Sequence, residues 1–307
     1  MVALQLSLAT GLVVPHAAVR SVRLPPPAAA ALRVPVMTVA LSQNSLPAPP
    51  ALPSATSNKV INTLSGLWFA VSATVIVIAC YIPLIPFSIY SFIFDAKKRR
   101  LVDLVVKMWA RASLMFLGAK VQVIGAENLP PPGEAALYCP NHSSFLDIFV
   151  LSAYLPRYIK YISKIEILRI PLIGWAMQLA RHIPLRRSDR RSQMETFREA
   201  VASLQAGNNV IAFPEGTRSK DGRPIAFKKG PFTMAAKAGT RVVPISIIGT
   251  HVFQPTNAVL PLAPPRGISI VCHPPLDVPV AKAEGESADA CKAAILSALP
   301  PEMQPLE

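Results

Sequence analysis

The sequence predicts an α/β fold: a sandwich of helices and a largely parallel, mixed sheet, preceded by an N-terminal membrane helix or helical hairpin. Two observations lead to this prediction. After residue 118, short apolar runs alternate with helical patterns, as in sheets whose parallel strands are joined by helices. Before it, residues 67–94 carry no charged side chain, and this length exceeds the roughly twenty apolar residues that cross a bilayer. Of the 307 residues, roughly two hundred then remain for one globular domain.

Residues 1–58 have the composition of an organelle transit peptide. No acidic residue precedes Asp95, and proline clusters at 25–27 and 47–53 prevent a continuous helix. An acid-free leader that contains arginine, alanine and serine is typical of transit sequences. The apolar run 2–14 leaves a secretory signal or a bipartite leader open, although no basic residue precedes it. We expect residues 1–58 to be disordered.

A transmembrane or re-entrant membrane segment is predicted at 59–100. Trp68 and Tyr90 lie near the ends of the uncharged stretch, and a Lys-Lys-Arg-Arg cluster follows it, which places the rest of the chain on the side of that cluster. Pro83 and Pro86 predict a kink or a re-entrant turn, and a buried core helix is the alternative. The pattern at 101–118 predicts an amphipathic helix on the membrane surface.

Residues 119–307 contain the elements of the globular domain. Strands are predicted at 120–124, 136–139, 158–162, 209–213, 241–248 and 268–272. Helices are predicted at 144–154, 165–180, 192–206, 230–238 and around 288–298. In the third of these helices, Ser192 and Glu195 match a capping box and Gly207 marks the end.

Charge and cysteine content restrict the class of protein. The formal net charge is +14, which favours anionic partners such as a phospholipid surface, a phosphorylated substrate, coenzyme A or an acidic carrier protein. Nucleic acid is a poor candidate because no basic run is interleaved with aromatic residues. The four cysteines are scattered, so they indicate neither a disulfide framework nor a zinc site, and Cys139 is predicted to be a small buried side chain.

The stretch Asn141-His142-Ser143-Ser144-Phe145-Leu146-Asp147 offers a base with an orienting carboxylate. His142 and Asp147 are five positions apart, so on one helix their side chains would point roughly 140° apart. Cooperation requires His142 in the loop after the 136–139 strand and Asp147 in the first turn of the next helix. The second ring nitrogen could then deprotonate a hydroxyl. The alternative is that Asp147 caps this helix, in an S-x-x-D pattern with Ser144.

A second motif, Phe213-Pro214-Glu215-Gly216-Thr217-Arg218-Ser219, follows an apolar strand, where α/β proteins gather their ligand sites. Gly216 lets the backbone approach a ligand. Arg218 can bind a phosphate through paired hydrogen bonds, and Glu215 can accept from a hydroxyl or orient an arginine. A surface turn with a Glu–Arg pair is the alternative.

Together these motifs resemble the signature of the glycerolipid acyltransferases, and in particular the plastid-type lysophosphatidic acid acyltransferases, whose blocks read N-H-x4-D and F-P-E-G-T-R-S. A third block, an apolar run ending in arginine, has a counterpart at 183–187, where Arg187 corresponds to the arginine and Arg186 is an alternative. A fourth block, an apolar run with a central proline, is matched at 242–245. The resemblance covers roughly residues 100–275.

The resemblance implies acyl transfer from acyl-CoA or acyl carrier protein to the sn-2 hydroxyl of 1-acyl-sn-glycerol-3-phosphate, which forms phosphatidate in phospholipid biosynthesis. It makes His142 the base and Asp147 its orienting partner. The substrate would be bound by Arg187, Glu215, Gly216, Thr217 and Arg218. The two arginines would bind the phosphate, the Glu-Gly pair would shape the glycerol pocket, and the amide of the threonine or its neighbours would stabilise the thioester oxyanion.

The same resemblance implies a catalytic domain at 119–307 that needs no metal and no cofactor beyond the acyl carrier. The expected partners are lysophosphatidic acid, acyl-CoA or acyl carrier protein, and anionic membrane lipids, without nucleic acid. The expected location is a plastid membrane with the catalytic domain facing the stroma, and the endoplasmic reticulum membrane is the alternative. Three other functions stay open: acylation of another glycerol-phosphate or lysophospholipid acceptor, thioester hydrolysis, and a non-catalytic membrane protein.

Overall fold

A seven-stranded sheet carries the helices and loops of this chain, for which a computed structural model describes residues 50–53, 58–185, 190–278 and 284–306. The strands are β1 (Lys120–Ile124), β2 (Ala136–Pro140), β3 (Ile159–Lys164), β4 (Ile183–Leu185), β5 (Asn209–Ile211), β6 (Arg241–Ile248) and β7 (Arg266–Cys272). The helices are α1 (Lys59–Phe94), α2 (Arg100–Phe116), α3 (Leu146–Tyr154), α4 (Ile165–Leu168), α5 (Ile173–Leu179), α6 (Arg190–Gln205), α7 (Gly230–Ala238), α8 (Thr250–Phe253) and α9 (Glu284–Ala298). The predicted leader at 1–58 lies almost entirely outside the described residues.

The order of the strands across the sheet is β1-β7-β6-β2-β5-β3-β4. Neighbouring strands run parallel except for β6 and β7, which are antiparallel. The largely parallel, mixed sheet predicted from the sequence is therefore confirmed. Since β2 lies between β5 and β6, the loops that follow these three strands leave the sheet close together.

Side chains that alternate along the strands pack against helices on both faces of the sheet. In β2, Ala136 and Tyr138 belong to the apolar cluster that includes α2 and α3 residues. Leu137 and Cys139 belong to the cluster that includes residues of α6, α7 and α9. All four are fully buried, as the period of two in a central strand requires, and Cys139 is the buried side chain predicted. The helices therefore form two layers with the sheet between them.

Helix α1 packs along α2 and continues through both of its prolines. The indole N–H of Trp68 donates to the carbonyl of Phe116 (2.9 Å), and that of Trp109 donates to the carbonyl of Ala73 (3.0 Å). Pro83 and Pro86 lie inside the helix, which ends only at Phe94. The helix is long and apolar enough to cross a membrane, with a mean hydropathy of 2.2 over its most apolar window.

Short elements account for most differences from the predicted ones. The helix predicted at 165–180 is divided into α4 and α5, because Pro171 lacks an N–H donor and Leu172 adopts a φ of +64°. Strand β4 was not predicted; it tolerates Pro184 because it lies at the edge of the sheet. Helix α6 begins at Arg190, so the capping box predicted at Ser192 is wrong.

Candidate active site

The two motifs meet at one edge of the sheet. Strand β2 ends at Pro140 and leads into the loop that carries His142, and its parallel neighbour β5 ends shortly before Phe213. The ring of Phe213 stacks on the imidazole of His142, with centroids 3.8 Å apart and 21° between the planes. The His142 side chain is 14% exposed, so it is accessible from one side.

His142 and Asp147 form a hydrogen-bonded pair. Nδ1 of His142 lies 2.8 Å from Oδ2 of Asp147. His142 lies in the loop and Asp147 in the first turn of α3, as contact between the two side chains requires. Because a carboxylate accepts, the shared proton belongs to Nδ1, and Nε2 of the neutral ring is left as an acceptor. This is the geometry of a general base with an orienting carboxylate.

Asp147 is fully buried, and hydrogen bonds hold both of its oxygens. Oδ2 also accepts from the backbone N–H groups of Ser143 (2.8 Å) and Ser144 (2.9 Å). Oδ1 accepts from the hydroxyl of Thr250 at 2.5 Å. The sequence left open whether Asp147 contacts the start of the helix or the histidine, and the structure has one carboxylate bonded to both.

Glu215 joins the two motifs through the backbone. Its Oε1 accepts from the N–H of His142 (2.7 Å) and its Oε2 from the N–H of Ile225 (3.0 Å). The side chain is 1% exposed, and burial raises the pKa of its carboxyl to about 7, although the two N–H groups act in the opposite direction. Glu215 therefore fixes the backbone of two loops to each other.

Two more contacts hold the His142 loop. The amide of Asn141 pairs with both backbone groups of Ile247 in β6: Oδ1 accepts from its N–H (2.7 Å), and Nδ2 donates to its carbonyl (3.0 Å). The N–H of Ser219 donates to the carbonyl of His142 at 2.8 Å. The histidine is thus held by backbone contacts from two neighbouring segments, independently of its ring.

The second motif turns at Gly216, which has a φ of +70°. A Cβ at this position would lie 2.8 Å from Nζ of Lys228, so only glycine allows the lysine to come this close. Thr217 is exposed and Arg218 is half-buried. Both are therefore available to a substrate, unlike the buried Glu215.

The structure brings together His142, Asp147, Glu215, Gly216, Thr217 and Arg218 at this edge. Arg187 lies outside the described residues, as does Arg186. Strand β4 ends at Leu185 and is parallel to β3, so its last residue lies at the same edge of the sheet as the end of β5.

The segment that follows β6 also contributes to this edge, although no sequence motif predicted it. Thr250 bonds to Asp147, and the ring of the adjacent His251 packs on Gly222, where a Cβ would lie 2.6 Å from the ring. Burial lowers the pKa of His251. The position of Thr250 just after a predicted strand, next to a glycine, was a signal that this residue reaches the same edge.

An apolar cavity of about 50 Å³ lies behind α3. It is lined by residues of α1, α2, α3 and α5, and Phe145, three positions after His142, forms part of its wall. Trp109, Ile148 and Phe149 are among the other residues that line it. The lining is almost entirely apolar, so the cavity is suited to a hydrocarbon group.

Comparison with known proteins finds acyltransferases that are similar to this chain. A family model described as Acyltransferase matches residues 120–248. A 1-acyl-sn-glycerol-3-phosphate acyltransferase from Chlamydomonas reinhardtii is 37% identical over 259 residues, covering 84% of this chain and 76% of that protein. A chloroplastic protein of the same name from Arabidopsis thaliana is 41% identical over 200 residues, covering 65% of this chain and 56% of that protein.

A solved structure has the same fold. The crystal structure of the 1-acyl-sn-glycerophosphate acyltransferase from Thermotoga maritima superposes with a TM-score of 0.66 at 30% identity, covering 77% of this chain and 94% of that one. The mixed sheet, the family model and this solved structure define an acyltransferase fold. More narrowly, the chain belongs to the 1-acyl-sn-glycerol-3-phosphate acyltransferase family, as its motifs predicted.

Proposed function

We propose that this protein transfers an acyl chain from a thioester carrier, acyl-CoA or acyl carrier protein, to the sn-2 hydroxyl of 1-acyl-sn-glycerol-3-phosphate, forming phosphatidate. The observation that carries the proposal is the pair of His142 and Asp147, whose geometry leaves Nε2 as an acceptor beside the second motif. The names of the relatives from Chlamydomonas reinhardtii and Arabidopsis thaliana support the choice of acceptor.

In this reaction Nε2 of His142 removes the proton of the acceptor hydroxyl as its oxygen attacks the thioester carbonyl. The tetrahedral intermediate then collapses: the carbon–sulfur bond breaks, and the departing thiolate takes the proton from His142. Asp147 keeps the proton of Nδ1 in place and stabilises the imidazolium that forms in between. His142 takes one proton from the hydroxyl and gives one to the thiolate, so no other reactant is needed.

The second motif binds the acceptor in this proposal. Arg218 is half-buried at the edge of the loop and would bind the phosphate by paired hydrogen bonds, together with Arg187 from the segment after β4. Gly216 lets the backbone approach the glycerol, while Glu215 fixes the backbone of His142 and Ile225. The amide of Thr217 or a neighbour would bind the oxyanion.

The apolar cavity behind α3 supports an acyl substrate. Its wall includes Phe145, which lies close to the proposed base, and aromatic rings of Phe149 and Trp109. Burial of methylene groups against such a wall is favourable by about 0.8 kcal/mol each. This cavity is therefore the proposed binding place for part of the acyl chain.

The proposed location is a plastid membrane, with the site on the stromal side. Chloroplastic relatives from Arabidopsis thaliana and Brassica napus support the plastid, and the apolar helix α1 supports the membrane. A fluorescent protein fused behind residues 1–58 tests the transit peptide. Import into plastids is expected, and delivery to the endoplasmic reticulum would contradict the proposal.

The deciding experiment is an assay of the purified full chain in detergent with acyl-CoA or acyl carrier protein and 1-acyl-sn-glycerol-3-phosphate. Phosphatidate formed by the parent and not by His142→Ala is the expected result. Thiol release that does not depend on acceptor would instead indicate a hydrolase. Faster turnover with glycerol-3-phosphate than with its 1-acyl derivative would overturn the proposed acceptor.

A further inference from the structure

The segment after β6 is bonded to the loop of the proposed base at two points. The hydroxyl of Thr250 donates to Oδ1 of Asp147 at 2.5 Å. Four residues on, the carbonyl of Gln254 accepts from the hydroxyl of Ser144 at 2.7 Å. Gly249, with a φ of +91°, makes the turn that brings Thr250 from the end of the strand to the carboxylate.

The Thr250 hydroxyl has a defined direction. A carboxylate oxygen only accepts, so the Thr250 proton points to Asp147. The hydroxyl of Ser143 lies 3.4 Å from Oγ1 of Thr250, and its proton is then the one that can be donated to Thr250. Thr250 and Asp147 are both fully buried, so water does not replace this bond if the hydroxyl is lost.

The bonds on the two carboxylate oxygens differ in what they hold. Oδ2 accepts from Nδ1 of His142 and from the two serine N–H groups, whereas Thr250 is the partner of Oδ1 in the described structure. Without the Thr250 hydroxyl, only the three bonds to Oδ2 oppose rotation of the carboxylate about its terminal torsion, which is intrinsically broad. Rotation lengthens the bond to His142 and releases the tautomer that leaves Nε2 as the acceptor.

We propose that Thr250 is a positioning residue for acyl transfer: its hydroxyl fixes the Asp147 carboxylate in the orientation that keeps His142 in its base tautomer. The inference rests on the proposed role of His142 and Asp147. Thr250 touches no substrate and acts through Asp147, so its loss should lower kcat and leave KM unchanged. A merely structural threonine would lower the unfolding midpoint without this selective loss.

The test compares Thr250→Val, which removes the hydroxyl at nearly constant volume, with Thr250→Ser, which keeps it. In the full chain in detergent we expect Thr250→Val to lower kcat about ten- to hundredfold, the size of the loss when a metal ligand loses its outer hydrogen-bond partner. KM for both substrates stays within about twofold, since binding groups are untouched. Thr250→Ser retains kcat within about threefold of the parent.

The matched control is Ser246→Ala, which removes a fully buried hydroxyl from β6 itself. The Ser246 hydroxyl bonds to the His273 ring (2.7 Å) and to the Ile295 carbonyl (3.0 Å), and within the described residues it makes no bond to His142 or Asp147. We expect a lower unfolding midpoint and an unchanged kcat. An equal loss of kcat in the control, or in Thr250→Ser, overturns the proposal, as does a Thr250→Val variant with the kcat of the parent.

Two arrangements keep the inference separable from the proposed function. If the parent releases thiol or prefers another acceptor, the ratio of kcat between each variant and the parent is measured on that reaction. His142, oriented by Asp147, is the base in each case. If Thr250→Val does not fold, Thr250→Ala takes its place. If the parent has no turnover, the His142 Nδ1 proton is observed by ¹⁵N-histidine NMR and assigned by its absence in His142→Ala. Its loss in Thr250→Val but not in Thr250→Ser supports the inference, and its persistence in both contradicts it.

Discussion

The proposed chemistry depends on the His142 imidazole. The ring and the backbone of this residue have different partners. The ring bonds to Asp147 and stacks on Phe213, whereas the backbone N–H and carbonyl bond to Glu215 and Ser219. The loop is therefore held even when the ring is removed. This separation makes the histidine suitable for substitution, because the effect on chemistry is not confused with an effect on folding.

We expect His142→Ala and His142→Gln to lower kcat by at least about a hundredfold, the contribution of a positioned general base. The unfolding midpoint should change little, since only the ring contacts are lost. Steady-state kinetics and thermal unfolding monitored by circular dichroism measure the two effects. His142→Gln separates the loss of the base from the loss of side-chain volume, because glutamine fills much of the space and cannot act as a base. Turnover above a tenth of the parent rate in either variant would exclude the base role.

Glu215 introduces a pH dependence into stability. Its pKa is about 7 in the folded protein, above its ordinary 4.5, so the folded state favours the protonated carboxyl. The protonated Glu215 carboxyl therefore adds to the free energy of unfolding. This contribution is fully present below pH 4.5 and is lost as the pH rises through about 7. A shift of this size corresponds to about 3 kcal/mol.

Glu215→Gln should remove this dependence, because glutamine does not ionise. The unfolding free energies of the parent and the variant are measured at pH 5 and pH 8, and the parent should exceed the variant by more at pH 5. The variant should also be less active at both values, since its amide can accept from only one of the two N–H groups of His142 and Ile225. An equal difference at the two pH values would contradict the assignment.

At the scale of elements, a buried ion pair joins α2 to the sheet. Nζ of Lys160 in β3 lies 2.6 Å from each oxygen of Asp103 in α2 and donates to the carbonyl of Ala180 at 2.7 Å. The two charged side chains are 1% and 5% exposed. Each charge depends on the other, because neither reaches water.

Removing one partner should therefore be worse than removing both. We expect Lys160→Met and Asp103→Leu, taken singly, to destabilise the fold by about 3–5 kcal/mol, since each leaves an uncompensated buried charge. The double variant should recover much of the loss, because two apolar side chains can pack in the same space. Chemical denaturation measures the free energy of unfolding of the parent, the two single variants and the double variant. Additive losses would show that the two side chains do not depend on each other.

The elements that the sequence predicted well are those with a long local pattern. The strands at 120–124 and 241–248 and the helix at 230–238 agree with β1, β6 and α7 residue for residue. Elements of three or four residues, such as β4 and α8, have no period to detect. They exist because tertiary contacts stabilise them, and the sequence alone does not contain those contacts in readable form.

The same limit applies to the site. His142 and Asp147 are close in sequence, and the motif with Glu215 has a recognisable composition, so the sequence alone predicts both. Thr250 contributes one hydroxyl from a distant segment, and Asn141 contributes an amide to the backbone of β6. A lone threonine has no pattern, and the place of Asn141 in its motif does not reveal its partner, so both roles follow only from the parallel order of β5, β2 and β6.

For the whole molecule, the distribution of apolar surface around α1 is the feature with the largest consequence. One side of this helix packs on the domain, including Phe69, Ala73 and Val77, whereas residues such as Val75, Ile78 and Ile82 are exposed. The exposed apolar positions recur at intervals of three and four, which is one continuous face of a helix. Such a face on a protein of net charge +14 fits an anionic membrane that contacts the helix and the basic residues beside it.

We therefore expect charges on this face to weaken membrane binding without unfolding the domain. Ile78 is 55% exposed and Ile82 is 78% exposed, so lysine at either position disturbs little inside the protein. In a bilayer each lysine costs up to about 3 kcal/mol near the centre of the hydrocarbon. Co-flotation of the full chain with vesicles of neutral and anionic phospholipid measures the effect, and the Ile78→Lys/Ile82→Lys variant should leave the lipid fraction. Met194→Lys, which charges an exposed apolar position (47%) on α6 across the sheet from α2, is the control and should float as the parent does. Equal flotation of all three proteins would show that α1 does not bind the membrane.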